Sequence, residues 1–125
     1  MQSYNHVVMI GRLTRDPELK TVQEYQKCSF TLAVNRSFAK DEAEKEADFF
    51  QVVTWGKLAE ICQNYVQKGR LVLVEGRLQT RSYDKNGQKQ YVTEVVAEKL
   101  QILEYPRKHG GAQNNKDHEA LAMAA

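Results

Sequence analysis

The sequence predicts a mainly β domain, a five-stranded barrel with one helix between the third and fourth strands. Three observations lead to this fold class. Apolar residues alternate with the period of two that half-buried strands show. Gly11 and Gly76 lie inside two of the strand patterns, where a bulge or a sharp bend is expected. Residues 57–68 alone have the apolar spacing of an amphipathic helix.

Length and composition restrict the class of protein. The chain has 125 residues, 42% of them hydrophobic and 27% charged, which allows one domain, or one domain with a tail. No apolar run approaches the ~18 residues of a transmembrane helix, and no secretory signal precedes the first strand. We therefore expect a cytoplasmic protein whose Cys28 and Cys62 are reduced core residues, with no membrane association, metal or cofactor.

Three strands are predicted before the helix. Residues 6–13 form the first strand, and Pro17 marks the turn that follows it. The second strand covers residues 28–38, and its buried face is predicted to carry Cys28, Phe30, Leu32 and Val34. The third strand, residues 49–55, is apolar on both phases. The pattern therefore leaves open which of its two faces lies against the core.

The helix is predicted over residues 57–68, with Gly69 as its C-terminal stop. One apolar stripe runs along it, made of Leu58, Ile61, Cys62 and Tyr65. The fourth strand covers residues 71–83, and Asn-Gly in the segment 84–87 predicts a tight hairpin. The fifth strand follows in two pieces, residues 90–97 and 100–103.

The order β-β-β-α-β-β over residues 1–105 is that of the OB-fold, a five-stranded Greek-key barrel that binds oligonucleotides or oligosaccharides. A small α+β sandwich would show a similar order of elements. Residues 106–125 have no periodic apolar face, and we expect them to form a flexible C-terminal tail.

Aromatic residues alternate with basic residues on three strands. Phe38 and Tyr83 lie at strand ends beside charged loops, whereas Phe49 and Trp55 share one phase of the third strand. A sequence-independent binder of single-stranded nucleic acid needs both types, because rings stack on bases and cations contact phosphates. The alternative is that these rings belong to the core or to a subunit interface. Basic neighbours that could contact phosphate are Arg36 and Lys40 near Phe38, and Arg77, Arg81 and Lys85 near Tyr83.

The net charge of +2 is small for a nucleic-acid binder, but the charge is unevenly distributed. Residues 40–48 carry five acidic and two basic side chains, a local charge of −3, and are expected to form a solvated loop. The rest of residues 1–105 is positive.

Sequence signatures of enzymes are absent. Glu75 and Glu94 lie inside strands, where we expect an outward position or a cross-strand pair with Arg or Lys.

Several segments together resemble the bacterial single-stranded DNA-binding proteins. They are NHVVMIGRL at 5–13 with DPE at 16–18, FTLAVNRSF at 30–38, DFFQVVTWGKLAE at 48–60, KG at 68–69, VEGRLQTRSY at 74–83 and YVTEV at 91–95. The resemblance covers about residues 3–105. It implies a non-enzymatic homotetramer of OB-folds with single-stranded DNA on its surface. The base-stacking positions that it implies are Phe38, Phe49, Trp55 and Tyr83.

The resemblance also implies phosphate contacts from Lys20, Lys40, Lys57, Lys68 and Arg81. Three further positions that carry cations in the family hold His6, Gln51 and Ser82 here, so those contacts are not carried over. Family members end in a flexible tail with an acidic, Pro-Phe-terminated tip that recruits replication and repair enzymes. This sequence ends in HEALAMAA, and we expect such protein partners only if a native acidic tail exists.

The predicted function is sequence-independent binding and protection of single-stranded DNA in replication, recombination and repair. Two alternatives stay open. The first is a protein-interaction OB-domain similar to the primosome components that resemble this family. The second is an oligonucleotide- or sugar-processing enzyme, which the fold alone does not exclude.

Overall fold

Six strands and one helix make up the computed structural model, which describes residues 2–36 and 46–104. The elements are β1 (Val7–Leu13), β2 (Glu18–Val22), β3 (Tyr25–Asn35), β4 (Ala47–Trp55), α1 (Lys57–Tyr65), β5 (Leu71–Lys85) and β6 (Gln88–Glu104). Phe38, Lys40 and the predicted tail at 106–125 lie outside the described residues, as does most of the predicted acidic loop. Within these described ranges, no helix is long and apolar enough to cross a membrane.

Five of the strands close into a barrel. Antiparallel pairs join β1 to β5, β5 to β6 and β3 to β4, while β4 and β6 pair in parallel. The ring closes where Arg12 and Leu13 of β1 pair with β3. Helix α1 connects the third strand of this ring, β4, to the fourth, β5. The predicted OB-fold, with a helix between the third and fourth barrel strands, is confirmed.

Strand β2 was not predicted, and its sequence explains why. It pairs along its whole length with β3, yet Leu19 is its only residue that is not exposed. The strand is therefore held by its backbone ladder rather than by an apolar face, and no alternation marks it. The turn that joins β2 to β3 places Gln23 and Glu24 at φ 48° and 75°. Glycine or asparagine usually occupies such positions, so the usual hairpin signal is missing as well.

Gly11 and Gly76 lie where backbones approach each other closely. A Cβ atom at Gly11 would collide with the carbonyl oxygen of Ala33 on β3. One at Gly76 would collide with the carbonyl oxygen of Val96 on β6, next to a register shift in the β5–β6 ladder. The predicted irregularity is thus found at Gly76, and both glycines allow neighbouring strands to come together as the barrel closes.

Beyond the barrel, β5 and β6 continue as a two-stranded arm, residues 77–93. All of β5 from Arg77 to Lys85 is exposed, so both faces of the arm are accessible. The predicted Asn-Gly hairpin is present, with Asn86 and Gly87 at φ 53° and 77°. Strand β6 is continuous, whereas two pieces were predicted; the register shift takes the place of the expected break.

Helix α1 has the predicted apolar stripe but ends earlier than residue 68. Leu58 and Cys62 are buried, and Ile61 and Tyr65 pack against the core. Val66 leaves the helix in an extended conformation and is itself buried. The helix is one turn shorter than predicted because Val66 turns into the core. Gly69 therefore does not cap the helix but lies in the turn that leads to β5.

The barrel core follows the predicted alternation on β3. Cys28, Phe30 and Leu32 are buried together with residues of every other barrel strand. Thr54 is also buried, and its hydroxyl donates a 2.8 Å hydrogen bond to the carbonyl oxygen of Cys28, which satisfies a polar group inside the core. Cys28 and Cys62 are free thiols within this core, as predicted.

Candidate nucleic-acid interface

The outward face of β4 carries two of the four predicted stacking residues. Val52 and Thr54 are fully buried, so the alternate phase points outward. Phe49 is 65% exposed and Trp55 is 42% exposed. Val53 shares their phase but is buried, which explains why apolar periodicity alone did not distinguish the two faces.

Strand pairing brings cations next to Trp55. In the β2–β3–β4 ladder, Lys20 lies opposite Lys27, and Lys27 lies opposite Trp55. The ammonium of Lys27 is 5.6 Å from the centroid of the Trp55 ring, a cation–π distance. Lys27 was not among the predicted site residues, although it lies in phase with the outward residues of β3.

A groove crosses the outward face between β2 and the arm. Its volume is about 200 Å³, and it is lined by three basic residues, two acidic residues and two neutral polar residues: Lys20, Lys27, Arg81, Glu18, Glu94, Ser29 and Gln51. The groove joins residues that are far apart in the sequence, because the arm comes close to the β2–β3 hairpin. Through Lys27, the groove adjoins the exposed ring of Trp55.

Arg81 enters this groove as one partner of a cross-strand ion pair. Its Nε and Nη2 atoms donate hydrogen bonds of 2.9 and 3.2 Å to the two carboxylate oxygens of Glu94. The hydrogen bonds and the carboxylate charge raise the pKa of Arg81 above its ordinary value. The side chain of Glu94 is only 8% exposed, whereas that of Arg81 is 45% exposed. The expected cross-strand pair of Glu94 is confirmed, and it both orients Arg81 and offsets its charge.

The outward face of the arm aligns three of the predicted residues. Arg77, Arg81 and Tyr83 alternate along β5 and therefore share one face. Tyr83 is 45% exposed. Arg77 donates a 2.8 Å hydrogen bond to Gln79 and lies 3.9 Å from a carboxylate oxygen of Glu98. The arm thus presents an aromatic ring and two guanidinium groups on one face, and Arg81 of this face lines the groove.

Arg36 is paired with acidic residues at the start of β4. Its guanidinium lies 2.8 Å from Asp48 and 2.7 Å from Glu46. Hydrogen bonds from Arg36 lower the pKa of the Asp48 carboxyl below its ordinary value. These two carboxylates partly compensate the charge of Arg36, so less of that charge is available to attract a phosphate.

The other predicted cations are exposed but spread over the surface. Lys57 begins α1 directly after Trp55 and Gly56, whereas Lys85 lies at the tip of the arm. Lys68 lies in the turn before β5, where its backbone N–H donates a 2.8 Å hydrogen bond to Asp16. The structure therefore groups Lys20 and Arg81 with Trp55, and it leaves Lys57, Lys68 and Lys85 around the edges of that surface.

A second exposed surface, which the sequence pattern did not predict, lies on the outside of the barrel around β1. Val8 is 54% exposed and Ile10 is 48% exposed on β1, and Ile10 lies opposite Leu73 of β5. With the exposed Leu103 of β6 these residues form an apolar patch, here called the β1 face. Beside it, Glu75 takes the predicted outward position between the buried Val74 and Gly76, and its carboxylate lies 3.2 Å from His6.

Strand β1 also has a free edge. It pairs with β5 along Val7–Arg12, but with β3 only at Arg12 and Leu13. Among the described residues, the outer edge of β1 before Arg12 therefore has no ladder partner. Such an edge readily accepts another strand.

Comparison with known proteins agrees with this architecture. The pattern of the single-strand binding protein family matches residues 4–103. Single-stranded DNA-binding protein 2 of Clostridium acetobutylicum is 55% identical over 104 residues, which are 81% of this chain and 77% of that protein. Single-stranded DNA-binding protein 1 of Streptococcus pyogenes is 48% identical over 121 residues, which are 96% of this chain and 92% of that protein.

A solved structure is similar in fold. The single-strand binding protein of Plasmodium falciparum, in complex with single-stranded DNA, superposes with a TM-score of 0.73 at 27% sequence identity. The match covers 83% of this chain and 98% of the other. Sequence and architecture lead to the same conclusion, that the chain belongs to the single-strand binding protein family.

Proposed function

We propose that this protein binds single-stranded DNA without regard to sequence and protects it during replication, recombination and repair. The observation that carries the proposal is that three exposed rings each adjoin a residue of the groove. Phe49 is next in phase to Gln51, Trp55 lies opposite Lys27, and Tyr83 is next in phase to Arg81. The names of the relatives and the DNA bound to the Plasmodium protein support the same ligand.

Aromatic stacking explains how such a surface would accept any base. Every base has a π face, and each stacked base contributes roughly 1–3 kcal/mol, so the energy depends little on base identity. Phe49, Trp55 and Tyr83 are proposed as stacking platforms. Phe38, which lies outside the described residues, is proposed as a fourth on the strength of the resemblance.

Basic residues would supply the salt-dependent part of the affinity through phosphate contacts and counterion release. Lys20 and Arg81 line the groove, and Lys57 follows Trp55 by two positions at the start of α1. The wider set of proposed phosphate ligands is Lys20, Arg36, Lys40, Lys57, Lys68, Arg77, Arg81 and Lys85. Within this set the ion pairs weaken the case for Arg36 and fix the orientation of Arg81.

A homotetramer is proposed from the β1 face and the free edge of β1. Pairing of two β1 edges would extend the sheet across a dimer and satisfy backbone groups. Packing of the apolar β1 faces would then join two dimers, since patches such as Val8, Ile10 and Leu73 favour burial.

Ile10→Glu should therefore yield species smaller than a tetramer in light scattering, whereas Val22→Glu, at an exposed position on β2, should not. An Ile10→Glu protein that keeps a four-chain mass would contradict this assembly.

The proposal describes a binding protein, not an enzyme. The binding domain is proposed to comprise residues 1–105, and the location to be the nucleoid in the cytoplasm, where unwound strands occur. Recruitment of replication and repair proteins is proposed only for a form of the protein that carries an acidic tail. Residues 105–125 lie outside the described structure.

Titration of the intrinsic fluorescence tests the DNA-binding proposal directly. Trp55 is the one tryptophan in the chain, so oligo(dT) that stacks on its ring should quench the emission. The affinity should fall with salt, by a slope of about −0.7 for each phosphate neutralised on a single strand. Unchanged emission at saturating oligonucleotide would contradict stacking on Trp55. Binding that is equally tight at low and high salt would contradict the phosphate contacts.

A further inference from the structure

We propose that Lys27 is an additional DNA-binding residue, which holds the Trp55 platform and contacts the phosphate next to the base stacked on that ring. The proposal rests on the single-stranded DNA binding proposed above and identifies a residue of the same surface.

The register places Lys27 between a cation and an aromatic ring. It lies directly opposite Lys20 on one side and directly opposite Trp55 on the other. Its ammonium lies 5.6 Å from the centroid of the Trp55 ring, within the ~6 Å over which a cation is attracted to a π face. Lys27 is half-buried whereas Trp55 is 42% exposed, so the ring keeps accessible surface for a base while the lysine lies against it.

The charge around Lys27 favours an anion. Like charges directly opposite each other on neighbouring strands are destabilising, and Lys20 and Lys27 form such a pair. Within residues 2–36 and 46–104, neither lysine takes part in an ion pair. Two carboxylates also line the groove. That of Glu94 is already occupied by two hydrogen bonds from Arg81. That of Glu18, which lies opposite Ser29, forms no ion pair with either lysine. A phosphate between the two lysines would relieve their repulsion.

The position of the groove determines which phosphate is meant. Lys20, Lys27 and Arg81 all line it, and Trp55 borders it through its contact with Lys27. The phosphate nearest a base on Trp55 must pass close to that ring, because base and phosphate belong to the same nucleotide. Lys27 therefore couples the two kinds of contact, stacking and charge, at one nucleotide.

Three substitutions separate these two contributions. Lys27→Met keeps a flexible side chain against the ring but removes the charge. Lys27→Ala removes both the long side chain and its charge. Lys27→Arg keeps a long side chain and a positive charge. Lys99→Met is the matched control, because Lys99 is an exposed lysine on β6 opposite Glu75 and does not line the groove.

The probe is an oligo(dT) of about eight nucleotides, which is within the site size of one OB-fold. For Lys27→Met, the slope of log affinity against log salt should be smaller in magnitude by about 0.7 than for the wild type. When the salt concentration rises fourfold, the loss of affinity should therefore be about 2.6-fold smaller for Lys27→Met than for the wild type. Lys27→Arg and Lys99→Met should keep the wild-type slope. Lys27→Ala should also lose part of the Trp55 quench at saturation, because the ring is no longer held.

A wild-type slope in Lys27→Met would overturn the phosphate contact, and an unchanged quench in Lys27→Ala would overturn the positioning of the ring. Either result is distinct from a failure of the proposed function, in which the wild-type protein itself would show neither quenching nor binding. Thermal unfolding of each variant identifies any loss of affinity that follows from a loss of fold.

Discussion

Phe49 and Phe50 are adjacent on β4 but lie on opposite faces, so alanine at each position separates DNA binding from folding. Phe49 is 65% exposed. Its replacement loses only about a third of the 1.5–3 kcal/mol gained when a phenylalanine is fully buried, about 0.5–1 kcal/mol. The lost base stack should weaken binding by roughly 1–3 kcal/mol, which is about 5- to 160-fold in Kd. Phe50 is mostly buried opposite the fully buried Leu32, so Phe50→Ala should cost more stability, about 1–2.7 kcal/mol.

Two measurements on each variant decide the matter. Urea unfolding gives the free energy of unfolding, and titration with a short oligo(dT), followed by Trp55 emission, gives Kd at a temperature where all variants are folded. We expect Phe49→Ala to lose affinity with little loss of stability, and Phe50→Ala to lose stability with little loss of affinity. The reverse order in either measurement would refute the assignment of the two faces.

Three further predictions concern the barrel itself. Gly76→Ala should lower the free energy of unfolding by roughly 1–3 kcal/mol, because its methyl group would meet a backbone carbonyl of β6; unchanged urea unfolding would contradict this. Cys28 and Cys62 should not react with a thiol reagent at neutral pH until the protein is unfolded, because both are fully buried. The hydrogen bond between the two thiols raises the pKa of Cys62 and lowers that of Cys28, so the protection of Cys28 comes from its burial. Asp48→Asn should be less stable than wild type near neutral pH, and thermal unfolding should show the difference narrowing in acid. Arg36 lowers the pKa of Asp48, so the carboxylate stabilises the fold at neutral pH and loses this contribution as the pH falls through its folded-state pKa.

The barrel could be predicted because most of its strands bury one face. On β3 the alternation of Cys28, Phe30 and Leu32 with polar residues predicted the buried face correctly. Strand β2 has no such face, and its hairpin turn uses Gln23 and Glu24 where a sequence signal would need glycine or asparagine. Elements held by a backbone ladder alone leave little trace in hydrophobic periodicity.

The interface was predictable in its residue types but not in its geometry. On β4 the outward phase contains the apolar Val53, which is buried, as well as the exposed Phe49 and Trp55. Because both phases of the strand are therefore apolar, hydrophobic periodicity did not show which phase is exposed. Lys27 was missed because its significance depends on strand register, which places it opposite both Lys20 and Trp55. Register depends on long-range pairing, and a single sequence contains no direct record of it.

The distribution of ion pairs explains why net charge describes this surface poorly. Arg36 is compensated by Glu46 and Asp48, two members of the acidic segment that made the net charge small. Arg81 is held by the buried Glu94. This ion pair orients the guanidinium toward the groove, and the carboxylate cancels part of the positive potential of the guanidinium. The lysines beside Trp55 have no such partners among the described residues, and they are concentrated where a stacked base would bring its phosphate. A sequence-independent binder of single strands depends on this local coincidence of rings and uncompensated cations, and a net charge of +2 contains no information about it.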